Sequence, residues 1–227
     1  MAEPISLSRL AIALVPVVGL LIWLAIEGHS LRGTLQGLAR MLIQLSLVGY
    51  VLVFLFESDR IWVTLVSLTA MMMAASAIAI RTAEQKPWGR YLQVIVSIML
   101  GGGVTLAVIT VGVLNVQPWY NPRILIPLAG MTFSNCMNAL SLAIERLDSS
   151  TDGSPDSAVR VALIPITNSL FAVGVVSIPG MMTGQVLAGV SPLIAARYQI
   201  MIMCLIFASA GLSLLVFMRL QPKAKAA

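Results

Sequence analysis

Residues 91–114 read YLQVIVSIMLGGGVTLAVITVGVL, and no charged side chain interrupts Tyr91–Leu114. A helix needs about 20 mostly apolar residues to cross the hydrocarbon core of a bilayer, and this run has them. Six further runs share its character: Leu10–Ile26, Met41–Phe56, Ile61–Ile80, Ile124–Ile144, Val161–Ile178 and Ala195–Met218. All are continuous rather than alternating, which excludes the strands of a membrane barrel. The pattern predicts an all-α, polytopic membrane helix bundle of about seven transmembrane helices, with residues 1–227 as a single transmembrane domain.

Composition leads to the same class. Of 227 residues, 59% are hydrophobic and 10% are charged, against about 25% charged in an average soluble domain. So few charges cannot cover a globule this apolar, and a water-soluble enzyme is excluded. The net charge is +5, but the basic residues stand singly between apolar runs. They form no patch that could follow a phosphate backbone, so no nucleic-acid partner is expected. Cys136 and Cys204 lie inside apolar runs, without the spacing of a disulfide framework or a zinc site. Glu27-Gly28-His29 follows the first run where a cleaved signal would carry small residues, so that run reads as a retained helix. His29, the lone histidine, reads as a solvated loop residue.

Lysine and arginine predict the orientation. With seven spans, one side holds Arg9, Arg60, Arg123 and Arg197. The other holds Arg32, Arg40, Arg81, Lys86, Arg90, Arg146, Arg160, Arg219, Lys223 and Lys225. This bias predicts an outer N-terminus and a cytoplasmic C-terminus in a plasma (inner) membrane.

Two stretches depart from plain spans. In residues 125–138, Pro127 removes a helix donor and predicts a kink, and Asn135 and Asn138 share one helix face. An amide in hydrocarbon either bonds to a neighbouring helix or lines a wet path; the sequence leaves both readings open. Residues 177–192 carry Pro179, Gly180, Gly184, Gly189 and Pro192, too many breakers for an ordinary helix. They predict a re-entrant turn or two short helix pieces near 178–192, with an apolar surface loop as the alternative. Transporters often place their sites at such breaks. The polar residues within spans add Gln44, Asn168 and Gln199, and no carboxylate lies deep in any span. The substrate-path candidates are Gln44, Asn135, Asn138, Met181, Met182 and Gln185.

The 13 methionines invite a soft-metal reading but also suit packing, so any metal site stays unassigned. A phosphate-binding loop needs a lysine after glycine, and Lys86, Lys223 and Lys225 have none. An ATP-driven process would therefore use another polypeptide, and no cofactor is assigned to this chain.

These residues resemble the FetB-type permeases, membrane subunits of an ABC transporter assigned to iron export, with plant aluminium-tolerance subunits in the same family. The strongest match is Ile178-Pro179-Gly180-Met181-Met182-Thr183-Gly184-Gln185, followed by Tyr198-Gln199-Ile200. Ile126-Pro127-Leu128, Asn135, Met137-Asn138-Ala139 and Arg40 with Gln44-Leu45 also fit. The resemblance implies a non-enzymatic permease subunit in membrane lipid, paired as a homodimer with a separate ABC ATPase. It implies outward transport of a metal ion, iron-like, or a small solute by alternating access. One departure is the segment between spans five and six, Glu145 to Arg160, which is shorter than the family's coupling segment. Its middle, Asp148–Ser157, reads as a polar linker. Coupling to the partner is then expected at Arg81, Lys86, Arg90, Glu145 and Arg146. The same departure keeps a stand-alone channel, a secondary carrier or a non-pumping paralogue open.

Overall fold

The computed structural model describes residues 6–58, 60–84, 87–149 and 154–221. Among them the chain is helical and carries no strand, only an isolated bridge between Val173 and Ser177. It divides into two compact units, residues 1–54 and 55–227. Six helical segments are long and apolar enough to cross a membrane: Ser8–Ile26, Arg32–Glu57, Ile61–Thr82, Trp88–Val113, Pro122–Asp148 and Pro192–Leu220.

The first unit holds α1 (Leu7–Ile12), α2 (Val15–Ile26) and most of α3 (Arg32–Glu57). The predicted first span is thus two helices. Ser6 caps α1 by accepting the Arg9 N–H. Pro16 enters at the second position of α2, where its missing donor costs least, and Ala13 and Leu14 form the joint. No residue of α2 or α3 is buried. α2 is apolar on all sides, as a helix in contact with lipid is, whereas α3 also carries Arg32, Gln36, Arg40 and Gln44.

The second unit contains α4 (Ile61–Ala79), α5 (Trp88–Val113), α6 (Pro122–Asp148), α7 (Pro155–Ala172), α8 (Gly180–Leu187) and α9 (Pro192–Leu220). α9 packs on α5, α6, α7 and α8, and α6 also packs on α4 and α7. Ile98, Leu140, Ile144, Leu205, Leu214 and Phe217 fill the core between them. With no hydrophobic effect between helices in lipid, close van der Waals approach must hold them. Gly101 supplies it. A Cβ there would collide with the backbone N and Cα of Ser213, and one at Gly102 would sit 3.1 Å from Cys136 Sγ. α5 is π-helical over Ile98–Gly103 and Val108–Val113, so its ladder loosens where the glycines make contact.

Helix ends alternate between two ends of this unit. At one, Thr64 Oγ1 donates to the Tyr120 carbonyl and Arg123 Nε to that of Phe56. At the other, Thr82 Oγ1 donates to the Ser141 carbonyl and Gln93 Nε2 to that of Leu220.

The predicted sixth span, Val161–Ile178, is corrected at both ends. α7 starts at Pro155 because Ser154 accepts the Ser157 N–H, Pro155 suits the first turn and Asp156 faces the positive helix end. It stops at Ala172, where Gly174 turns the chain at φ +85°. The expected break near 178–192 is one short helix, α8, set between the turns at Gly174 and Gly189. The linker expected at 148–157 is also corrected: α6 runs to Asp148 and α7 begins at Pro155, leaving six residues, of which 150–153 lie outside the described ones. α6 runs on through Pro127 without ending.

Gly101→Ala is expected to lower stability by about 1–3 kcal/mol, the usual cost of overpacking, read as a lower melting temperature in detergent. Gly103→Ala, with open space around its Cβ, leaves the melting temperature unchanged.

Candidate functional site

One face of α6 carries Pro127, Met131, Asn135, Asn138 and Leu142, each three or four residues from the last. Three cavities lie along it in order. The first, about 840 Å³, is lined by Pro127 and Met131 with Leu114–Gln117, Arg123, Met181, Gln185 and Tyr198. The second, about 340 Å³, shares Met131 and Met181 with the first and adds Asn135, Ser169, Gln199 and Met203. The third, about 210 Å³, shares Asn135 and Ser169 with the second and adds Asn138, Leu142 and Pro165. From Arg123 to Leu142 the helix rises about 28 Å at 1.5 Å per residue, close to the thickness of the hydrocarbon core. The cavities taper from the Arg123 end inward. Pro127 and Pro165 line them, and each takes one donor out of its helix.

The polar groups here differ from those in the core. Buried Ser76, Ser97, Thr105, Thr110, Thr132, Ser209 and Ser213 all donate back to carbonyls of their own helix, and Thr64 reaches Tyr120. Gln199 is 6% exposed, yet its Oε1 has no partner. Gln185 Oε1 is likewise buried and unpaired. Both side chains are cavity lining, where a carbonyl oxygen left bare in hydrocarbon is costly and each such orphan needs a reason. Asn135 Nδ2 donates to the Met131 carbonyl at 2.8 Å, so its nitrogen is used by its own helix. Asn138 is exposed and lines the third cavity.

The structure brings Asn135 and Asn138 to one cavity, and Met181 and Gln185 to another. Met182 falls outside this series. It lines a separate apolar cavity of about 600 Å³ beside Cys204 and Phe207, and Gln199 borders both that cavity and the second. Gln44 is exposed on α3, within the first unit. Of the motif around α8, Pro179 opens the helix, Thr183 Oγ1 donates back to the Pro179 carbonyl at 3.2 Å, and Gly180 borders the second cavity. Gly184 has open space around it. Met201 and Met203 were not singled out in the sequence. Their spacing from Tyr198 and Gln199, three and four residues, was the signal that places them on the same face of α9. Among the described residues, no group of three His, Cys, Asp or Glu could hold a metal ion.

The charged residues expected to meet a partner separate into two kinds. Arg81 and Glu145 are exposed, and Lys86 lies outside the described residues. Arg90 is engaged: its Nη1 and Nη2 donate to Asp148 Oδ2 and Oδ1 at 2.9 and 2.8 Å. Asp148 Oδ2 also accepts the Glu84 N–H at 3.2 Å. This clamp ties the connection between α4 and α5 to the end of α6, with 14% and 15% of the two side chains exposed. Arg146 Nε donates to Ser157 Oγ at 2.9 Å, joining α6 to α7 across the short loop.

Comparison with known proteins gives a consistent picture. A family model described as "Uncharacterised protein family (UPF0014)" matches residues 6–156 and 152–224, two stretches that overlap at 152–156. The UPF0014 membrane protein slr1647 of Synechocystis is 35% identical over 86% of this chain and 83% of its own length. The Escherichia coli protein named "Probable iron export permease protein FetB" is 31% identical over 93% and 89%. ALUMINUM SENSITIVE 3 of Arabidopsis thaliana is 29% identical over 89% and 81%. No solved structure matches the chain.

Removing either member of the clamp should cost about 1.5–3 kcal/mol, as for hydrogen bonds to charged groups. Arg90→Ala and Asp148→Ala should each lower the melting temperature. The double variant should fall short of their sum by about 1–2 kcal/mol; full additivity would mean that the pair carries no coupling.

Proposed function

The chain belongs to the UPF0014 family of membrane proteins, and from that membership we propose that it is the membrane-spanning permease subunit of an ABC transporter. Its cargo is a metal ion or small solute moving outward, and a separate ATPase supplies the energy. The observation that carries this reading is the stripe on α6, which lines three tapering cavities over nearly a membrane thickness. The name of the Escherichia coli relative, an iron export permease, supports the direction and the cargo class.

In the orientation read from lysine and arginine, the wide cavity lies at the outer face and the Arg90–Asp148 clamp at the cytoplasmic face. The ATPase docks at the clamped end, against Arg81, Glu145 and Arg146 and the segment holding Lys86. Two permease copies pair in the inner membrane. Closure of the ATPases shifts the clamped ends of α5 and α6 together, because the bidentate pair makes them one body there. α6 carries Asn135 and Asn138 with it, so the narrow end opens as the wide end closes. Polar amides rather than charges along the stripe hold cargo weakly enough to release it.

A second reading rests on the loop between α6 and α7. Only residues 149–154 separate the two helices, which leaves no room there for a coupling helix. A stand-alone carrier or a paralogue that no longer pumps follows from that shortening.

Asn138→Leu should leave the amount of protein in the membrane unchanged and reduce export to background, measured as cargo efflux from cells. Loss of the protein from the membrane would instead assign the amide to packing. Purification of the chain from its host in mild detergent should bring an ABC ATPase with it in matching amount; its absence favours the stand-alone reading.

A further inference from the structure

The wide and middle cavities differ from an ordinary hard-ion path in their donors. Met131 from α6 and Met181 from α8 line both. Met201 and Met203 from α9 add a third side, one in each cavity. Among the described residues, no carboxylate or imidazole lines either cavity, and the charged group that does is Arg123 at the wide end. Gln199 adds an amide oxygen that is fully covered and unpaired, whereas the buried serines and threonines of the core all have partners. A hard divalent or trivalent ion gives up its water only to anionic or several oxygen ligands. Thioethers offer nothing of that kind and select soft ions instead.

We propose that the neck between these two cavities binds a soft, monovalent d10 cation of the Cu(I) or Ag(I) class. Met131 and Met181 are its principal thioether ligands, Met201 or Met203 completes the set from either side, and the Gln199 oxygen faces the ion or its last water. The assignment rests on reading the cavities as a transport path, and it names the cargo class for that path. The three supporting helices make physical sense of it. A site built from α6, α8 and α9 changes when any of them moves, so the ion is held in one arrangement and released in another. Sharing of Met131 and Met181 by both cavities allows the ion to pass from one thioether set to the next without leaving sulfur. Methionine has no proton to lose, so binding does not depend on pH in the neutral range.

The test is titration of the purified full-length chain with Ag(I) in chloride-free buffer. A Cys136→Ala/Cys204→Ser background removes the two thiols, which would otherwise bind silver. The expected result is about one tightly held Ag(I) per chain, weakened about tenfold or more in Met131→Leu/Met181→Leu. Met73→Leu, on α4 and away from the cavities, should bind like the parent. Equal silver affinity in the double variant and the parent overturns the proposal, as does Mn(II) competing with silver at equal concentration. The Asn138→Leu export result separates the two levels of failure, since Asn138 lines neither of these cavities. Export lost in Asn138→Leu with silver binding indifferent to the methionines leaves the transport reading standing and removes the soft-cation site.

Discussion

In hydrocarbon, each backbone and side-chain polar group must find a partner within the protein, and this constraint organises the whole chain. It explains why the described residues are helical and why buried serines and threonines turn back to their own helix. It also limits where irregular backbone can lie. The turn around Gly174 and the short helix Gly180–Leu187 interrupt an apolar sequence, yet they sit beside cavities rather than as a bare span. Against that background the unpaired oxygens of Gln185 and Gln199 stand out. Serine bonds back by donating its hydroxyl to a helix carbonyl, but a glutamine oxygen can only accept, so it needs a donor from outside its own turn, such as water.

The second unit is built around contrasting ends. At one, Arg90 grips Asp148, Gln93 reaches Leu220 and Thr82 reaches Ser141. At the other, the cavities widen to about 840 Å³. Between them, Gly101 lets the backbone of α5 lie directly on α9 at Ser213. Packing of this kind has two discrete arrangements more readily than a continuous range, which is what the proposed transport cycle requires.

Much of the fold was legible in the sequence because long apolar runs leave the chain little choice. Runs such as Tyr91–Leu114 and Ala195–Met218 became helices only a few residues longer than their apolar cores. Boundaries failed where hydropathy and local chemistry disagreed. Ser154-Pro155-Asp156 is a helix start by its cap, its proline and its acid, but its polarity reads as linker. Gly174 ends α7 inside a stretch that is still apolar. The site was legible in part: spacing put Asn135 and Asn138 on one face. That α8 sets Met181 and Gln185 against that face, leaving Met182 in another cavity, depends on how three helices meet. The Arg90–Asp148 pair, 58 residues apart in sequence, carries no local signal at all.

The central claim is that one face of α6 meets water across the membrane. The most direct measurement is the reactivity of single cysteines toward a charged thiol reagent in lipid, in the Cys136→Ala/Cys204→Ser background, because the reacting thiolate forms only where water reaches it. Met131→Cys, Asn135→Cys and Asn138→Cys should react readily, while Val104→Cys, on α5, 53% exposed and facing lipid on this account, should stay inert. Reaction at the three α6 positions no faster than at residue 104 would contradict the account.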